Sequence, residues 1–277
     1  MAEKISRWQK FKRFLKRNMT PLWAKRFAYQ VFSFITAVAM VAGVAMYTFS
    51  KTYDDKTLTL ADGFTVCAHT GCYGTPDNSL EAIQAAIDHG ADAVEFDVRQ
   101  RLDGTVVMSH DIITTNSDGV EVRSAFELIK NSNLKVNLDV KDTRTLTGLH
   151  DLIMEYELAD RVFLTGIESY QVRLVRERCP DVAYYLNYTP SRINIFTEEY
   201  QQKILDLLEE TGAIGINCNH VYASRTLSIL LHDNGYKLSE WTVDRNYEMK
   251  RALVNRPDNI TTHNPDKLRD IIEGWNK

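Results

Sequence analysis

Cysteine is scarce: Cys67, Cys72, Cys179 and Cys218 are the only four in 277 residues, and no two of them stand in a Cys-x-x-Cys spacing. That argues against a thiolate zinc site and leaves disulfides permitted but unspecified. A phosphate-cradling glycine loop, a Gly-x-Ser-x-Gly elbow and an internal repeat are all missing as well. The nucleotide-binding loops and the serine hydrolases are therefore poor readings of this chain.

Charge is missing in two places. Residues 1–26 carry nine Lys and Arg but only one acid, Glu3, and residues 27–50 carry no charge at all. Taking the basic end from the chain's 33 basic and 37 acidic residues leaves 24 and 36 for residues 51–277, a net charge of −12 hidden inside an overall −4. At about 1.5 Å per helical residue the uncharged run reaches about 36 Å, enough to cross a bilayer. The basic flank then puts the N-terminus on the cytoplasmic side and the rest of the chain outside the cell. A cleaved signal peptide competes with this reading, but both the basic region and the apolar run are long for one. Residues 4–17, with Trp8, Phe11, Phe14 and Leu15 among lysines and arginines, suit an amphipathic helix on the inner membrane surface. Their position just before a spanning segment favours lipid over nucleic acid as the partner of this charge.

The chemistry is concentrated between Phe64 and Asp111. Phe64 to Ala68 is a short apolar strand ending in His69, and a turn-rich segment with Gly71, Gly74 and Pro76 follows. A helix comes next, with Asn78 as its cap, Glu81 at its third position, and Gly90 at its end. Ala93 to Val98 is a second strand, whose period of two sets Val94, Phe96 and Val98 on one face and Glu95 and Asp97 on the other. Two carboxylates that close repel unless a cation lies between them, and an oxygen-only set suits calcium or magnesium. A solvated strand face is the ordinary alternative. Asp103-Gly104 is a hairpin signal, and counting outward from it in antiparallel register brings His110 opposite Asp97. An imidazole arriving beside a carboxylate pair reads as an acid or base.

The order His69-Thr70-Gly71, Pro76-Asp77-Asn78-Ser79, Glu95-Phe96-Asp97, Asp103-Gly104 and His110-Asp111 resembles the glycerophosphodiester phosphodiesterase family, whose pattern runs His-Arg-Gly, Pro-Glu-Asn-Thr, Glu-x-Asp, Asp-Gly and His-Asp. The departure is Thr70, where the family has an arginine that contacts the substrate phosphate. Further on, Leu134 to Val140 is a strand with Asn137, Asp139 and Lys141 on one face. The family has Glu-x-Lys there, so the resemblance makes Asp139 the third metal ligand and Lys141 a phosphate contact. Trp241-Thr242-Val243-Asp244 resembles its Trp-Thr-Val-Asn, and Ile260 to Asp266 its closing Ile-Thr-Asp-x-Pro. Asp244 in place of Asn adds a negative charge. The resemblance spans about residues 64–272. His89, His150, His220, His232 and His263 show no ligand spacing and read as structural or surface residues.

Strand and helix patterns alternate to Glu273, giving eight strands once the hairpin return is set aside, and predict an α/β fold: a TIM (β/α)8 barrel preceded by one N-terminal transmembrane helix. In such a barrel reactive groups sit where strands end, and His69, Asp97, Asp139 and Lys141 all fall there. The expected organisation is a basic cytoplasmic segment (1–26), a transmembrane helix (27–50), a linker (51–62) and a phosphodiesterase barrel (63–277). The resemblance implies one divalent cation, Ca2+ or Mg2+, held by Glu95, Asp97 and Asp139, with His69 and His110 as base and acid. Lys141, Thr70, Asn78 and Trp241 are expected to contact substrate, a glycerophosphodiester or a glycerol-phosphate polymer. The alternatives are a lyase of the related phospholipase or sphingomyelinase D type, forming a cyclic phosphate, and a non-catalytic binding module.

Overall fold

The computed structural model describes residues 7–18, 20–51, 53 and 56–275; the first six residues of the basic segment, and 52, 54 and 55 of the expected linker, lie outside them. The chain divides into two units, Met1–Asp55 and Lys56–Lys277.

Among the described residues, the first unit holds two helices, α1 (Arg7–Asn18) and α2 (Pro21–Lys51). Thr20 starts α2, its hydroxyl accepting from Trp23 N–H at 3.2 Å, and Pro21 takes the first helical position, where a missing N–H costs nothing. Within α2, Pro21–Thr48 is long and apolar enough to cross a membrane, with a mean hydropathy of 1.9. The helix therefore begins six residues before the uncharged run and takes in Lys25 and Arg26.

The second unit holds the barrel. Its parallel staves are β1 (Thr65–Ala68), β2 (Ala93–Gln100), β5 (Lys135–Val140), β6 (Val162–Ile167), β7 (Ala183–Asn187), β8 (Gly215–Asn219), β9 (Lys237–Trp241) and β10 (Asn259–Thr262). Each pairs in parallel with the next in this order, and β1 pairs with both β2 and β10, so the sheet closes on itself. Eight helices cover the outside: α3 (Leu80–Asp88), α4 (Val122–Ile129), α5 (Leu146–Glu155), α6 (Val172–Arg178), α7 (Glu198–Thr211), α8 (Arg225–Asp233), α9 (Asn246–Asn255) and α10 (Pro265–Gly274).

The period-two pattern of the staves sorts their side chains. Val94, Phe96, Val98, Val136, Leu138 and Leu164 are buried in the core shared with the helices, where most of the apolar burial lies. Many of the alternate positions are polar and bond to one another. Thr165 Oγ1 donates to Asn137 Oδ1 (2.7 Å), Asn217 Nδ2 to Asn187 Oδ1 (2.9 Å), Asn259 Nδ2 to Ser239 Oγ (3.0 Å) and Thr65 Oγ1 to Asn259 Oδ1 (2.7 Å). Each of these side chains finds a partner, which is the condition for a polar interior to be tolerated. Leu58, Leu60 and Phe64 pack on a smaller apolar cluster of Val66, Val243, Met249 and Leu268, so the second half of the expected linker lies on the barrel.

Two antiparallel strands, β3 (Val106–Met108) and β4 (Val120–Glu121), extend the sheet beyond β2. Here the structure corrects the hairpin. Arg101 N–H donates to Thr105 O and Gly104 N–H to Arg101 O, so the turn is a five-residue loop in which Gly104 takes φ +93°. The register is then Val98 with Met108, and Ser109 N–H bonds Asp97 O at 3.1 Å. Ser109 therefore stands where His110 was expected, a slip of one position. The cap of α3 is corrected too. Ser79 Oγ accepts from Ala82 N–H at 3.1 Å, while Asn78 lies outside the helix at φ +51°.

Candidate active site

Glu95 and Asp97 project from β2 into the barrel, and β5 runs beside it with Asp97 paired to Asp139 and Glu95 to Asn137. Neighbouring staves run about 4.8 Å apart, so register alone sets two carboxylates side by side. One ligand oxygen from each of Glu95, Asp97 and Asp139 lies within 4.8 Å of the others. The feature is local and buried: Glu95 and Asp97 are each 4 % exposed.

Burial, then the charges of Asp97 and Asp139, pushes the Glu95 carboxyl far above its ordinary range. Asp139 Oδ1 is buried with no hydrogen-bond partner. A nest of acids with an orphaned oxygen is costly as it stands and becomes favourable around a cation, so these residues fit a hard divalent ion. Each ligand is also held. Asn78 Nδ2 donates to Asp97 Oδ2 (2.8 Å) while Asp97 N–H donates to Asn78 Oδ1 (3.0 Å), and Thr70 N–H donates to Glu95 Oε2 (3.2 Å). Thr70 Oγ1 in turn accepts from Asn78 N–H. Thr70 and Asn78, expected at the substrate, are thus buried and engaged with the acids. Lys141 Nζ sits between Asp139 Oδ2 (2.8 Å) and Asp97 Oδ1 (3.1 Å). Burial works against its charge, but those two carboxylates prevail and raise its pKa.

His69 follows β1. Its Nδ1 lies 2.9 Å from Thr70 O, a pure acceptor, so Nδ1 carries the proton and Nε2 is the free nitrogen, 3.7 Å from Glu95 Oε2. Burial lowers its pKa and keeps the ring neutral. His69, Glu95, Asn137, Asp139, Thr165, Asn217 and Trp241 line one cleft, and Trp241 is 37 % exposed at its edge. A larger hollow of about 470 Å3, against about 30 Å3 here, opens among Phe64, Asp92 and Lys135, where strands begin. It holds no histidine, and chemistry in this architecture gathers at the opposite ends of the strands.

His110 is not among the residues lining the cleft. Its side chain is 70 % exposed, with Nδ1 3.3 Å from Asp111 Oδ1, as the one-position slip of the hairpin requires. The histidine that does stand beside His69 is His263, at 4.2 Å between ring centroids. Sequence reasoning passed over it as structural. The signal was present: His69 and His263 each follow directly on the first and last staves, which a closed barrel makes neighbours, with Ala68 paired to Thr262.

The four cysteines are all buried and free, so no disulfide forms among the described residues.

A profile described as the glycerophosphoryl diester phosphodiesterase family matches residues 69–168, which take in the acids, His69 and Lys141. A glycerophosphodiester phosphodiesterase of Caldanaerobacter subterraneus subsp. tengcongensis is 26 % identical over 247 residues, covering 75 % of this chain and 97 % of that protein. The uncharacterized protein YqiK of Bacillus subtilis is 33 % identical over 247 residues, covering 75 % and 98 %. Among solved structures, an Oleispira antarctica phosphodiesterase in complex with the product sn-glycerol-3-phosphate superposes with a TM-score of 0.62 at 17 % identity, covering 78 % of this chain and 98 % of that one, a likeness of fold. These sequence matches, together with the closed barrel, place the chain in the glycerophosphodiester phosphodiesterase family of phosphoric diester hydrolases.

Proposed function

We propose that the chain hydrolyses a glycerol-phosphate diester, giving glycerol phosphate and an alcohol. The observation that carries this reading is the acid triad within 4.8 Å at the strand ends, beside a histidine whose Nε2 is free. Glu95, Asp97 and Asp139 would hold a divalent cation, Ca2+ or Mg2+, which when bound supplies positive charge against the negative charge that builds on phosphorus. His69 Nε2 takes a proton from the attacking oxygen, its tautomer fixed by Thr70 O. Lys141 keeps Asp97 and Asp139 in place and lends its charge to the same side of the cleft. Trp241 walls the substrate. Asn78 and Thr70 serve by fixing ligands. For His110 as the acid that protonates the leaving oxygen, the support is the family pattern alone, and its test is separate: His110→Ala lowers kcat by about 10²-fold or more if the role holds.

The test of the whole is hydrolysis of glycerophosphocholine and of a glycerol-phosphate polymer by the full chain in detergent. We expect linear glycerol phosphate, loss of activity with chelator and recovery with Ca2+ or Mg2+. Turnover undiminished by chelator would overturn the reading, and a cyclic phosphate product would move it to the lyases.

We further propose that α2 anchors the protein in the cell membrane, N-terminus cytoplasmic and barrel outside. The apolar span and the Lys/Arg-rich residues before it support this. Protease added to intact cells should then remove a C-terminal tag, and an uncleaved N-terminus distinguishes an anchor from a signal peptide.

A further inference from the structure

Two departures from the family pattern are Thr70 and Asp244. The structure sets the second of them against His263. Asp244 follows β9 and His263 follows β10, and Asp244 accepts three hydrogen bonds: Oδ1 from Thr262 Oγ1 (3.2 Å) and from His263 N–H (2.9 Å), and Oδ2 from His263 Nδ1–H (2.9 Å). With Nδ1 given to Asp244, Nε2 is the ring's other nitrogen, and it donates when the ring is protonated. The His263 side chain is 40 % exposed, and its ring is tilted by 52° against that of His69.

The charges around this ring favour a cation. Asp244 touches it, Asp77 acts on it from a distance, and its pKa is raised, first by the hydrogen bond it donates to Asp244. Thr70, buried and occupied with Asn78 and Glu95, brings no charge to the cleft. Lys141 is occupied by Asp97 and Asp139. A phosphodiester entering beside His69 thus meets a cleft rich in acids, while His263, its ring 4.2 Å from that of His69, lines the adjoining hollow with Tyr73 and Asn264.

We infer that His263, carried on Asp244, is the positively charged contact for the phosphate of the substrate, a part that Thr70 cannot play. This rests on the reading of the chain as a phosphodiesterase. Neither residue is placed among the metal ligands, so their removal leaves the acid triad as it stands.

The experiment uses the full chain in detergent with two readouts, steady-state hydrolysis of glycerophosphocholine and calorimetric binding of glycerol 3-phosphate. A hydrogen bond from a charged donor to phosphate sets the expected size at about tenfold. His263→Gln keeps a donor toward Asp244 but removes the charge; we expect KM and the glycerol 3-phosphate Kd each to rise about tenfold, with kcat changed less than about threefold. Unchanged KM and Kd in a folded His263→Gln variant would overturn the inference, as would a fall in kcat alone. A wild-type chain that binds glycerol 3-phosphate through His263 but hydrolyses no diester would leave this contact standing and defeat the proposed activity instead.

Discussion

Asp97 and Asn78 exchange two hydrogen bonds, so one amide fixes both the backbone and the carboxylate of a proposed metal ligand. Partners of this kind typically govern metal affinity by about 10- to 100-fold. Asn78→Ala should weaken Ca2+ or Mg2+ binding by that factor in a calorimetric titration. A second residue-scale expectation concerns Glu240, fully buried on β9, with Oε1 accepting from Asn255 Nδ2 at 3.1 Å and Oε2 unpartnered. Burial pushes its carboxyl up to about 8, only partly opposed by the Asn255 bond and Arg251. Between the ordinary carboxylate range and pH 8 the folded chain therefore holds a proton that the unfolded chain has lost, and stability falls as pH rises through that window. Glu240→Gln should remove this dependence, gaining on the order of 4 kcal/mol over wild type above pH 8 and little near pH 4. Denaturant melts at a series of pH values would check it. The acids were readable at this scale because a strand's alternation needs no tertiary information. His110 and His263 were not readable from local pattern, since one depended on the exact length of a turn and the other on which staves meet.

Elements carry the next layer. Gly166, in β6, takes φ +73°, and a Cβ there would lie 2.1 Å from Asp139 Oδ1 and 2.8 Å from Val140 O. Gly166→Ala should cost about 1–3 kcal/mol and displace the ligand, so that both the thermal midpoint and metal affinity fall together. Helix starts are modular by comparison. Ser224 Oγ accepts from Leu227 N–H at 3.2 Å, and Ser224→Ala should cost about 1 kcal/mol in denaturant unfolding while metal binding is unchanged. Within the barrel, strands such as those expected at Ala93 to Val98 and Leu134 to Val140 were legible to within about two residues because apolar periodicity is a local signal, whereas α2 begins six residues before the uncharged run. The asparagine before Ser79 misled because Asn and Ser are equally good caps, and only the pull of Asp97 decides between them. The two-residue β4 escaped because so short a strand carries no alternation.

For the molecule as a whole, a cation that binds the folded triad and not the unfolded chain must stabilise it by mass action, by about 2.7 kcal/mol at a hundredfold excess over Kd. Chelation should accordingly lower the thermal midpoint of wild type, and Asp139→Asn should abolish the difference. Closure of the barrel was legible from the count of eight strand–helix repeats, but its polar filling was not, since residues such as Asn217 and Asn259 look like strand-end punctuation until their partners on neighbouring staves are seen. Closure also orders events in time. Because β1 is sealed between β2 and β10, the sheet remains an open ribbon until residue 262 has been made. The acids of β2 and β5 can meet while synthesis is still under way, but His69 and His263 cannot. A growing chain cut short before its last stave would therefore own a place for an ion and no finished place for a substrate, so hydrolysis becomes possible only after nearly the whole polypeptide exists.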